Sequence, residues 1–333
     1  MIPGPALAAW LADPDAQERS FAGVMASADK WGHHPLMTDL ERDTAGLAER
    51  SPAAILAAAD RFMSRIADFE ALLDDLITDC RADPFFRPPL YPLANELRTG
   101  LLLFHNPHLS IALNVLSVDA LAEKKLSHAG GGSIAFDGQL TKFRYLRAGD
   151  ATLSFWEAPP LGDDFVAAEA GPARFVERRR IADGEDILLD GRRQSFVVEH
   201  AVRDLVYFQA IVREGGAPLT AEYDRDTLAF VSASSTDEAS SRVQMMVSLL
   251  RTMDREDAFP LMEEALASPQ FYTRWHVMRE MLAMDAEASL PALRRMAEGD
   301  PHPDIRAAAR QTLELFFAGE AAPAATGEAA CRA

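Results

Sequence analysis

Cysteine is almost missing: Cys80 and Cys331 are the only two in 333 residues, and they lie far apart. That excludes a disulfide framework and a cysteine zinc site. Lysine is nearly as scarce, with Lys30, Lys124, Lys125 and Lys142 the only four among 33 basic residues. The arginine and alanine bias reads as compositional drift, so arginine richness alone carries no functional weight. No segment is net basic: the chain carries −18, and the acid excess runs through its N-terminal, central and C-terminal parts. A nucleic-acid or anionic-membrane partner needs a positive surface that displaces counterions, and none is expected here. No run approaches the roughly 18 apolar residues that span a bilayer, and no basic stretch precedes the short apolar segment Leu7 to Leu11. The expected compartment is the cytoplasm.

What is present is ordinary globular material, 48% hydrophobic and 25% charged with 19 Gly and 20 Pro. The length favours two or three folded units. Residues 1–104 read as a helical domain. Ser51 and Pro52 supply an N-cap and a first-turn proline, and Ile55, Ala59, Phe62, Ile66, Phe69, Leu73, Leu76 and Cys80 follow in alternating steps of four and three. This spacing predicts one helix with a narrow apolar seam, ending near Asp83 before Pro84. The seam must be covered, either by other helices of the chain or by a second copy in a homodimer through residues 55–80. The four prolines between Asp83 and Pro92 predict a connector into a short helix ending near Phe104.

Residues 105–234 change period. Runs rich in β-branched and aromatic residues stand at Leu109 to Val118, Leu140 to Leu146, Ala151 to Trp156, Ala173 to Ile181, Asp186 to Leu189, Phe196 to His200, Leu205 to Val212, Leu219 to Tyr223 and Thr227 to Val231. Asp137-Gly138, Gly149-Asp150, Asp183-Gly184, Asp190-Gly191 and Gly215-Gly216 punctuate them. Closely spaced strands with tight turns predict an antiparallel sandwich or barrel.

Residues 235–318 return to helix and repeat themselves. Arg242, Arg274 and Arg306 open similar segments 32 residues apart, and Met253-Asp254 and Ala258 to Leu261 recur 31 residues on. That period with helical content predicts stacked helix pairs, each too thin to bury its apolar face alone. The stretch from Ser289 through Asp300, Pro301 and Arg306 resembles a HEAT repeat, a family that builds protein-binding surfaces and is rarely catalytic. Residues 319–333 are expected to be a disordered tail.

The order of strands around Leu109 to Val118 and the stretch Ile181 to Phe196 resemble a cupin. The resemblance implies a barrel with a metal held by a His-x-His pair, a carboxylate and a third His. No His-x-His occurs in the chain, and the position implied for the third His is Ser195. The residues left for an atypical metal site are His105, His108, His128, His200 and Glu199. His33-His34 is a weak metal signal. Gly130 to Ser133 precedes a strand rather than a helix and reads as a turn, and Arg178 to Arg180 reads as a solvated strand edge.

The chain is therefore read as α+β: an N-terminal helical domain, a central cupin-like antiparallel β sandwich and C-terminal HEAT-like helical repeats. The favoured function is non-catalytic binding or scaffolding, with no cofactor, a protein partner on the repeat surface and a small-ligand pocket in the sandwich. Arg242, Arg274 and Arg306 are expected to form a structural ladder, and the cluster Phe271, Tyr272, Arg274, Trp275 and His276 to contact the partner. The alternatives are a metal-dependent enzyme using the atypical histidine set, and a ligand-sensing regulator.

Overall fold

The structure, a computed structural model, describes residues 4–46, 51–127, 132–162 and 164–317. Its contacts divide the chain into two units, one made of Met1–Pro160 and Gly171–Ser232, the other of Leu161–Ala170 and Ala233–Ala333. The architecture is α+β, with helices first, antiparallel sheets in the centre and helices again at the end.

The first unit opens with α1 (Pro5–Leu11), α2 (Pro14–Gly32), α3 (Pro35–Ala45), α4 (Pro52–Ser64) and α5 (Ile66–Ala82). Each of α2, α3 and α4 starts with a proline behind a capping side chain: Asp13, His34 and Ser51 accept the N–H of Ala16, Leu36 and Ala54. His34 is thus a helix cap. The single seam helix expected from Ser51 is interrupted at Arg65, whose backbone leaves helical geometry at φ −89° and ψ 54°. Its guanidinium there bridges Asp68 and Asp39 at 2.6 and 2.8 Å. Ile55, Ala59, Phe62, Phe69 and Leu76 of the seam are buried, Ile66 and Leu73 are half-buried, and Cys80 is exposed.

The segment expected to be a short helix ending near Phe104 is instead a hairpin of β1 (Tyr91–Ala94) and β2 (Arg98–His105). Asn95 makes the turn by accepting the N–H groups of Leu97 and Arg98. β2 also pairs with β3 (Leu109–Leu116), a non-local gain that local propensity does not encode. α6 (Val118–Ser127), unforeseen in the sequence, leads to β4 (Ser133–Phe136), β5 (Leu140–Arg147), β6 (Thr152–Glu157), β7 (Arg174–Arg180), β8 (Asp186–Asp190), β9 (Gln194–His200), β10 (Leu205–Val212), β11 (Leu219–Asp224) and β12 (Phe230–Ser235). β12 begins later than Thr227 because Asp224 collects the N–H groups of Asp226 and Thr227 into a turn, with Leu228 at φ 60°.

The sheets run β1-β2-β3-β10-β5-β8, β12-β11-β4 and β7-β6-β9. Strand alternation gives β10 two faces. Phe208, Ala210 and Val212 join Leu109 and Ile111 of β3 against Ile55, Phe62 and Phe69 of α4 and α5, with Phe208 edge-on to both phenylalanines at 6.4 and 5.0 Å. The seam is therefore covered by the chain's own sheet, which is why the helices and the β region, expected as separate domains, share one core. Tyr207 on the opposite face packs at a tilt against Phe143 and Tyr145, and Phe196 sits edge-on to Phe143, with Leu153 and Phe155 in the same cluster. Asp60 of α4 adds a polar tie to β5, meeting Lys142 and Arg144, which also share Asp186.

Glycine is required where β5 turns toward β6. Gly149 sits at φ +61°, and a Cβ there would lie 2.2 Å from the Arg203 carbonyl oxygen.

The second unit contains α7 (Glu238–Thr252), α8 (Phe259–Ala265), α9 (Phe271–Met284), α10 (Ala286–Gly299) and α11 (Pro303–Phe316). α9 is central: Val277 and Met281 pack with Val247 of α7 and Met262 of α8, while Met278 packs with Leu293, Met296 and Ile305 of α10 and α11. Among the described residues no helix is long and apolar enough to cross a membrane.

Candidate functional site

The repeat arginines occupy unequal places. Arg274 is buried and grips both oxygens of Asp300 through Nε and Nη2 at 2.8 and 2.7 Å, while its Nη1 donates to the carbonyls of Ser268 and Pro269. Arg306 donates to the carbonyls of Asp300 and Pro301, six and five residues before it, as Arg274 does to its own preceding turn. Arg242 does not join this ladder; it is exposed and pairs with Glu238 on its own helix. The residue 26 positions beyond Arg242 is Ser268, where Arg274 has Asp300 at the same spacing. The acid needed for the first rung is missing.

Most of the aromatic cluster on α9 is used in packing. The Phe271 ring stacks on His302 at 3.9 Å, and the Tyr272 hydroxyl accepts from Ser235. His276 reaches Ser248 Oγ at 2.9 Å and the Gln244 carbonyl at 3.2 Å, tying α9 to α7. Trp275 differs. It is half-buried and lines a groove of about 550 Å³ with Arg279, Leu282, Ala286, Phe316 and Phe317, between α9, α10 and the end of α11. Phe316 is 76% exposed, and the exposed Arg279 has no acid partner among the described residues. Sequence reasoning found Trp275 but not Arg279, Phe316 or Phe317, because the groove is made by helix stacking rather than by neighbours in sequence.

The residues left for a metal site are dispersed or engaged elsewhere. His105 meets Ser110 Oγ at 2.9 Å, His108 meets Glu214, and His200 is exposed at the end of β9. His128, Gly130 and Gly131 lie outside the described residues. Glu199 is held by Ser154 and by Arg225 and Arg178. Burial pushes its carboxyl up, but the Arg225 and Ser154 hydrogen bonds and the two guanidinium charges outweigh burial and hold it below the usual carboxylate range. Among the described residues no three His, Cys, Asp or Glu side chains come together as metal ligands. His33 bonds within its own helix turn, to Asp29. The run at the β7 edge is spent on acids, with Arg178 at Glu199, Arg179 at Glu185 and Arg180 at Asp150.

The β face turned away from α4 and α5 is filled with aromatics at one end and open at the other. The open end is a trough of about 380 Å³ on β1, β2, β3 and β10, with Arg98, His105, Asn114, Gln209 and Arg213 among its lining residues. Gln209 Oε1 accepts from Arg98 and from Asn114, each at 3.4 Å, and Arg213 Nη2 donates to Ser110 Oγ at 3.3 Å. Arg98 also borders Tyr207, whose hydroxyl is pushed up by burial and partly restored by the Arg98 charge and hydrogen bond. Of these residues the sequence singled out only His105. A signal was available: Asn114 and Gln209 are isolated amides in strands otherwise apolar or small, and a buried amide requires partners.

No curated protein matches the chain. Solved structures that resemble part of it include an ectoine synthase from P. lautus, at 11% identity over 44% of this chain and 85% of that one with a TM-score of 0.23. A cupin domain from Bordetella pertussis is 10% identical over 38% and 96% of the two chains, with a TM-score of 0.21. A cupin-2 domain protein from Rhodospirillum rubrum is 10% identical over 47% and 86%, with a TM-score of 0.25. The family model for HEAT repeats matches residues 229–314, so the helical block that carries the Trp275 groove is similar to a HEAT-repeat array.

Proposed function

We propose that the protein is a non-catalytic binding protein whose repeat unit holds a helical segment of a partner protein, with a small ligand taken up by the β unit. The observation that carries this reading is the groove between α9 and α11. It places a tryptophan and two phenylalanines around a cavity of about 550 Å³, with Arg279, which has no acid partner among the described residues, at the rim. Trp, aromatic and Arg side chains in a concave apolar setting supply most of the energy of protein interfaces. The fitting occupant is an amphipathic helix that inserts apolar side chains and presents an acid to Arg279. The HEAT-repeat match supports the same class of function.

The test is photo-cross-linking from position 312, which also lines the groove, in the full chain within its own cell extract. The expected adduct is a helical peptide with spaced apolar residues and an acid. It disappears with Trp275→Ala, a loss of about 2 kcal/mol or roughly thirtyfold in affinity, and with Arg279→Glu. It persists with Met245→Ser, an exposed change on α7. Adducts indifferent to Trp275 and Arg279 refute the proposal.

A further inference from the structure

We propose that the exposed face of α7 pairs with the same face of a second copy of this chain, each α7 standing where the other copy's repeat array lacks its first helix. This goes beyond the reading above and does not draw on the groove between α9 and α11.

A shift of 32 residues carries Phe271–Met284 of α9 onto Pro303–Phe316 of α11, and carries α7 onto residues 270–284. α9 and α11 each follow a helix of the array, α8 and α10, whereas α7 follows the strand β12. α7 is thus the second helix of a pair whose first the preceding segment does not supply. The same shift puts Met245 in the place of Val277 and Ala309, and Leu249 in the place of Met281. Val277, Met281 and Ala309 are each 0% exposed, the first two packed with Met262 of α8 and the third clustered with Leu293 of α10. Met245 is 66% and Leu249 56% exposed. Positions that pack on the first helix of their pair in the later repeats face water in this one. Met246 and Met253, each 57% exposed, continue the patch along the helix. Large apolar side chains exposed side by side mark an interaction surface, and methionine adapts its shape to another methionine.

Orientation and charge select the occupant. α10 and α11, joined by the short turn from Asp300 to His302, lie antiparallel, so the missing helix is one antiparallel to α7. A two-fold axis across α7 supplies that orientation from the same sequence. With Met246 facing the partner's Leu249, the apolar residues meet in the middle and Arg242 comes beside the partner's Asp254 at either end. Asp254 is exposed and meets no base among the described residues. Arg242 spends Nη2 on Glu238 and keeps Nε and Nη1 for a second carboxylate. A parallel pairing would instead set Arg242 against Arg242. The 15 residues of α7 span about 22 Å. Two such helices bury less than the roughly 1,600 Å² of a standard interface, so the dimer is weak, with a Kd on the order of 10 µM.

The test is sedimentation velocity of the full chain from about 1 to about 200 µM, a range that brackets this constant. The chain is expected to pass from monomer to dimer and to stop there, because a two-fold contact closes on itself. Leu249→Glu sets two acids at the centre and weakens the dimer by at least about thirtyfold. Its thermal midpoint at low concentration is unchanged, since the side chain is exposed in the monomer. Arg242→Glu weakens the dimer by about tenfold, and adding Asp254→Arg to it restores most of the affinity. Trp275→Ala leaves the dimer intact. A monomer at every concentration, the outcome if the face awaits a helix of another protein, overturns the proposal. So does a dimer or larger species that keeps its affinity in Leu249→Glu, or a charge exchange that associates no more tightly than Arg242→Glu alone.

Discussion

Removing the Asp300 carboxylate should cost the repeat unit more than any other single polar change in it. The Arg274 and Asp300 side chains are 10% and 4% exposed and share two hydrogen bonds of 2.7 and 2.8 Å. Asp300 also accepts the His302 N–H at 2.8 Å. Asp300→Ala leaves a buried guanidinium facing an empty space, and breaking such a pair costs about 3–5 kcal/mol. For a unit of about 100 residues each kcal/mol moves the midpoint by about 4–8 °C, so the fall should be at least about 12 °C in scanning calorimetry. Arg274→Met combined with Asp300→Leu removes both charges and should regain most of that loss, because no unpaired ion remains. The pair also sets an acid limit. Burial pushes the Asp300 carboxyl up, but the Arg274 hydrogen bonds and the His302 N–H outweigh it and hold it below 3.8. The unfolded chain takes up the proton first as pH falls. The stabilisation is therefore complete above pH 3.8 and is lost as pH drops through the lower folded value, a dependence that Asp300→Asn should lack. A fall of less than about 4 °C for Asp300→Ala, or a double variant that loses the sum of its parts, refutes the reasoning.

Phe208→Ala should destabilise the first unit by about 3–5 kcal/mol in a urea titration, because Phe208 wedges between Phe62 and Phe69 where the helices meet the sheet. Gly149→Ala combines a left-handed backbone with a Cβ 2.2 Å from a carbonyl, so a loss of more than about 1 kcal/mol is expected by thermal denaturation. Arg242→Ala should change the midpoint of the repeat unit by less than about 0.5 kcal/mol, because its pair with Glu238 is exposed. Asp60→Ala should destabilise the first unit measurably, since one carboxylate serves both Lys142 and Arg144.

The repeats were legible because a 32-residue period records the stacking geometry directly in Arg274 and Arg306. Most central strands were legible from β-branched runs between turns such as Gly149-Asp150, where both residues hold positive φ. The hairpin of β1 and β2 was not, because Leu101, Leu102 and Leu103 suit either state and the decision lies with β3. The arginine ladder was readable as a pattern, but its missing rung depended on noticing Ser268 where the next repeat has Asp300. The trough was hidden for a related reason. Arg98, Asn114 and Gln209 are about a hundred positions apart at the extremes and meet only through the order β2-β3-β10.

The repeat unit is assembled from two stretches of chain, Leu161–Ala170 and everything from Ala233 onward. The shorter stretch is fastened by the Phe165 carbonyl to His302 at 2.9 Å and by the Ala167 N–H to Asp304 at 3.0 Å. No single cut releases the helices intact. A gene fragment beginning at the first helix would strip α11 of those tethers, so recombination that shuffles such arrays as contiguous cassettes would deliver this one frayed at its last helix.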